Sequence, residues 1–104
     1  MRSIIDGKRY DTDTATLIHE WDNRQPRTDF RRRDKDLYRT QGGAWFIHHY
    51  GGPMTDCARP AGDGSVTGGA SIEPISEDDA YAFLESHDGE HAIETFFPGR
   101  FVDA

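Results

Sequence analysis

The chain has a single cysteine, Cys57, among its 104 residues. One cysteine excludes an internal disulfide and fits a reducing compartment. Residues 1 to 23 hold no long apolar run, so neither a signal peptide nor a membrane-spanning helix is expected there. A cytoplasmic protein is the simple expectation. Apolar residues are scarce at 35%, and 30% of residues are charged. At this length that allows one small core that leans on aromatics, hence a single domain over 1–104. A net charge of −7 argues against generic nucleic-acid binding through a basic surface. Internal repeats and low-complexity segments are absent.

What is present centres on Lys35 to Gly52. Leu37–Thr40 and Ala44–Tyr50 are rich in β-favouring residues and flank Gln41-Gly42-Gly43, which predicts a hairpin. In the second strand Trp45, Ile47 and His49 share one face, and Phe46, His48 and Tyr50 the other. Aromatic bulk on both faces predicts a central strand.

Upstream, Ser3–Asp6 and Lys8–Tyr10 suggest a short strand pair turning at Asp6-Gly7. Asp11–Asp22 fits either helix or strand, and its β-branched residues favour strand. A regular strand there would group Ala15, Leu17, His19 and Trp21. Residues 53–69 are rich in Gly, Pro, Asp, Ser and Thr and read as a long surface loop. Ala70–Ile75 reads as a last strand, placed at an edge or ending there by Pro74. Ser76 is a helix N-cap, with Asp79 in the capping-box position and Glu77 and Asp78 favouring the positive helix end. Ala80, Phe83, Leu84 and His87 then fall on one face, and Gly89 ends the helix as a C′ glycine. A second helix, Glu90–Phe97, would bury Ile93, Phe96 and Phe97. The sum is an α+β fold: a small antiparallel sheet of four to five strands with a central hairpin, then two helices on one face.

Charge is unevenly spread. Arg24, Arg27, Arg31, Arg32, Arg33, Lys35 and Arg39 crowd the middle, whereas beyond Ser71 Arg100 is the lone base among the acids. Arg27, Arg31, Arg32, Arg33 and Lys35 are therefore candidate nucleic-acid contacts. Glu77, Asp78, Asp79, Glu85, Asp88, Glu90 and Glu94 are a candidate partner-binding face, spaced as a phosphate decoy would be. His48 and His49 point to opposite faces. His87 and His91 have a metal spacing that Gly89 interrupts, so no metal site is expected. Cys57 lacks a cysteine-enzyme signature, and the glycines of 62–69 lack the lysine of a phosphate cradle. The residues thus call for no catalytic group and no cofactor; an enzyme would need His48, His49 or Cys57 to converge in a pocket. Trp45, Tyr50, Phe96 and Phe97 strain the capacity of so small a core, which keeps a homodimer open.

Several strings together carry a resemblance. They are Ile5-Asp6-Gly7-Lys8-Arg9-Tyr10-Asp11-Thr12, Trp21-Asp22-Asn23, Asp29-Phe30, Leu37-Tyr38-Arg39-Thr40 and Gly43-x-Trp45-Phe46. Gly51-Gly52-Pro53-Met54-Thr55, Gly68-Gly69 and Ile72-x-Pro74-Ile75-Ser76 complete the set. Over Ile4 to Phe97 the chain resembles a family of small bacterial proteins carried on phages and other mobile elements. Some small proteins of that setting are anti-CRISPR inhibitors. The basic Arg31–Arg33 departs from the family's less basic segment. The resemblance implies a mobile-element setting in a bacterial host cytoplasm; a CRISPR effector as partner is the expectation once small size, charge polarity and the lack of a catalytic constellation are added to it. Joined to the charge layout, it gives the expectation of a non-enzymatic inhibitor acting through the acidic face. A small nucleic-acid-binding or regulatory protein acting through Arg24–Arg39 is the alternative.

Overall fold

The computed structural model describes residues 1–104. Its centre is a four-stranded antiparallel sheet in the order β3-β4-β5-β8, formed by Thr16–Asp22, Arg33–Arg39, Trp45–Gly51 and Gly69–Ile75. Two small hairpins stand outside it: β1 (Arg2–Ile5) with β2 (Lys8–Asp11), and β6 (Arg59–Pro60) with β7 (Val66–Thr67). Helices α1 (Glu77–Ser86) and α2 (Glu90–Phe96) follow β8. The α+β class and the central hairpin agree with the sequence, and no helix is long and apolar enough to cross a membrane.

The central hairpin pairs Leu37 with Ile47 and Arg39 with Trp45 on one face, and Tyr38 with Phe46 on the other. The helices cover the first of these faces. Leu37, Trp45 and Ile47 meet Ala80, Phe83, Leu84, Ala92, Ile93 and Phe97 in one buried cluster. On the second face Phe46 is fully buried between Tyr38, stacked at 5.2 Å, and Tyr10 of β2, edge-on at 5.7 Å. The first hairpin therefore lids only one end of that face. It turns through Asp6 (φ 52°) and Gly7 (φ 75°), the positive pair that matches the strand twist.

The structure corrects the sequence at several points. A bulge between Leu17 and His19 puts Leu17 opposite Tyr38 and His19 opposite Leu37, so these two lie on opposite faces. Ile18 packs against the helix-side core beside Trp21. The central turn forms where the sequence puts it, with Gly43 at a positive φ of 90° and its N–H bonding the Thr40 carbonyl at 3.0 Å. Residues 53–69 are not a structureless loop: they contain the β6–β7 hairpin, and Cys57 within them is buried. Phe96 is 38% exposed, so α2 buries Ile93 and Phe97 without it. Trp45 is buried and Tyr50 is 40% exposed.

Ser76 caps α1 as expected, its Oγ accepting from the Asp79 N–H at 3.1 Å, though Asp79 returns no side-chain bond. The other end differs in mechanism. Asp88 takes the left-handed turn at φ 60°, and the Gly89 N–H bonds the Leu84 carbonyl at 2.8 Å, closing a Schellman-type cap. Gly89 is buried for another reason: a Cβ there would lie 2.5 Å from Leu84 Cδ2. Its missing side chain lets α2 start directly against α1.

Candidate interaction surfaces

Three polar surfaces come out of this arrangement. The first is the basic middle of the chain, whose Arg31, Arg32 and Arg33 are neutralised from within. Arg31 Nη2 meets Asp29 at 3.1 Å, and Arg32 Nη2 meets Asp34 at 2.7 Å and Asp22 at 3.5 Å. Arg33 Nε meets Asp56 at 2.7 Å. These pairings hold the Asp29 and Asp56 carboxyls below the usual carboxylate range, through hydrogen bonds from Arg31 and Arg33. Lys35 lies 5.5 Å from the Trp21 ring centroid on the helix side of the sheet. Arg27 alone of the five is exposed with no ion-pair partner.

Arg33 also organises a network. Its Nη2 donates to His49 Nδ1 at 2.8 Å, and His49 Nε2 donates to Glu73 at 2.8 Å, which fixes the tautomer of the neutral ring. His48 is on the opposite face, and burial lowers its basicity. The Cys57 thiol is buried with Asp56 Oδ1 at 3.9 Å. Hence His48, His49 and Cys57 do not converge on one pocket. No group of three or more His, Cys, Asp or Glu residues is placed to hold a metal. His87 is turned back onto its own helix, bonding the Phe83 carbonyl through Nδ1 at 2.9 Å.

The second surface is the helical layer. Glu77, Asp78, Asp79, Glu85, Asp88, Glu90 and Glu94 are all exposed. Only Asp78 has a cationic partner, Arg100 at 2.9 Å, and that carboxylate is 83% exposed. Glu85, Glu90 and Glu94 come together around a cleft of about 350 Å³ between α1, α2 and the following segment. Glu77 and Asp79 stand apart at the start of α1, and Asp88 in the turn between the helices.

The third surface was missed in the sequence. On the sheet face away from the helices Glu20 pairs across the strands with Asp36, and Asp36 with His48. Asp22 and Asp34 form the next row, joined by Arg32. Arg27, His48 and Tyr50 help line the cleft above them, about 340 Å³ in volume. Asp36 makes no side-chain hydrogen bond. Burial, with the charges of Glu20 and Asp34 adding to it, pushes its carboxyl up to about 6. The signal was the two-residue spacing of Glu20 and Asp22 and of Asp34 and Asp36, which becomes a carboxylate row once the two strands are paired.

Comparisons with protein-family models, with curated proteins and with solved structures give no match.

Proposed function

We propose that the chain is a non-enzymatic binding protein whose acidic helical layer occupies a cationic surface on another protein, one built to hold nucleic acid. In the mobile-element setting implied by the sequence resemblance, the target is a CRISPR effector and the outcome is its inhibition. One observation carries this reading. The acids of α1 and α2 are exposed with a single weak cation among them, whereas Arg31, Arg32 and Arg33, the densest run of the basic segment, are paired within the chain. Unpaired surface charge of one sign speeds encounter with a complementary surface and makes binding sensitive to salt.

The test is capture of CRISPR effectors by the tagged chain, with and without guide RNA. Guide-free effector is captured, bound guide prevents it, and capture weakens as salt rises. Changing Glu77→Gln, Asp78→Asn, Asp79→Asn and Glu85→Gln together reduces affinity about tenfold or more, as loss of several complementary charges should. Capture unaffected by those changes would remove the acidic-face mechanism. Capture of nucleic acid alone would transfer the function to Arg27 and Lys35.

A further inference from the structure

The helical layer is not uniformly acidic, because at one place charge is set against apolar surface. The cleft beside α1 and α2 is floored by Tyr81 and Ile93, walled by Glu85, Glu90 and Glu94, and flanked by Phe101 of the following segment. No cation lies within ion-pairing distance of these three glutamates.

At its margin the chain seats a dipeptide of its own. Arg100 donates to Asp78 at 2.9 Å, and its guanidinium carbon lies 4.6 Å from the Tyr81 ring centroid and 5.9 Å from that of Phe97. The Tyr81 hydroxyl donates to the Arg100 carbonyl at 3.5 Å. Phe101, the next residue, lies along the cleft and remains 40% exposed. An arginine followed by an aromatic is thus what this face already accommodates. The hold is weak, since an exposed ion pair and a water-facing cation–π contact each contribute little.

We infer that this groove receives a partner segment in which an arginine stands beside an aromatic or large apolar residue, with Arg100-Phe101 keeping its place until the partner displaces them. Charge complementarity selects the occupant. The three glutamates accept a guanidinium, the apolar floor accepts its neighbour, and a segment lacking either satisfies only half of the groove. The inference rests on the proposed function for the partner's existence, but its test needs no effector.

The probe is a short capped peptide, Gly-Lys-Arg-Phe-Lys-Gly, titrated at low salt into the full chain and into its Arg100→Ala variant while backbone amide resonances are followed. Shifts gather at Tyr81, Ile93 and their neighbours. The variant binds about three- to tenfold more tightly, because the anchor that holds Phe101 along the cleft is gone and more of the protein is competent to bind. Adding Glu85→Gln and Glu94→Gln cancels that gain, and replacing the peptide's Phe by Ala weakens binding severalfold. Shifts elsewhere, no binding to the variant, or equal affinity of variant and parent would overturn the inference. Effector capture without groove shifts would sink this inference and leave the proposed function standing. Groove shifts without effector capture would do the reverse.

Discussion

Asp36→Asn is expected to stabilise the protein at neutral pH and to do almost nothing in acid. The Asp36 carboxyl sits partly buried beneath the open face of the sheet, opposite Glu20 and beside Asp34, and its pKa is raised from 3.8 to about 6. A folded-state pKa above the unfolded one means that the native protein holds more protons between those values. Stability then falls as pH rises from about 4 to about 6, and the cost of the ionised group is complete above that window. At 1.36 kcal/mol per pKa unit the whole shift corresponds to about 3 kcal/mol. Solvent screening at a group only partly buried reduces the figure to about 1–2 kcal/mol.

Asparagine keeps the shape and removes the charge. Urea unfolding at pH 4 and at pH 7.5 should therefore give a difference between variant and parent near zero at the lower pH and about 1–2 kcal/mol at the higher. His48 titrates in the opposite sense, since burial lowers its pKa and stability gained from it rises with pH. It faces Asp36 across the strands, but Asp36 is neutral at pH 4 and His48 is neutral at pH 7.5, so no charged pair between them enters the difference at either pH. Asp103→Asn, exposed after α2, controls for the change in net charge. An Asp36→Asn effect of the same size at both pH values, or a loss of stability at pH 7.5, would refute the reasoning.

Two packing predictions follow. Gly89→Ala forces a Cβ to within 2.5 Å of Leu84 Cδ2 and 3.0 Å of Leu84 Cα. Overpacking of that kind should cost about 2 kcal/mol, read as a fall in the urea midpoint with unchanged slope, and a neutral result would mean that α2 can shift away freely. Ser76→Ala removes the side-chain acceptor of the Asp79 N–H. It should cost about 1 kcal/mol, or about 4–8 °C in Tm, measured by circular dichroism; an unchanged Tm would show that water replaces the cap fully.

Local chemistry made much of the fold legible. Asp6-Gly7, Pro74 and Ser76 each announce a turn, an edge or a cap by a property of one or two residues. The alternating aromatics of Trp45–Tyr50 announce a strand buried on both sides, and they lie in a central one. What was not legible depended on pairing. The bulge at Leu17/His19 reverses the faces of half a strand without any sequence mark. Gly89 reads as the C′ glycine, but the left-handed C′ residue is Asp88 and Gly89 is one position further on, where close contact with Leu84 calls for a residue without a side chain. The acidic residues of the helices could be found by composition alone. The Glu20–Asp36–His48 row could not, because its members come from three strands whose register only the folded sheet supplies.

The bulge has a further effect, because β3 is one margin of the sheet and β8 the other. Each margin carries an interruption: the irregular hydrogen bonding at Leu17/His19 in β3, and in β8 Pro74, which has no N–H to offer. A flat margin with unpaired backbone groups would recruit another copy strand to strand, and both interruptions work against such growth. The sheet is therefore a poor template for strand-to-strand addition of a second copy. Contact between molecules is left to side chains on the faces, where charge can select the partner.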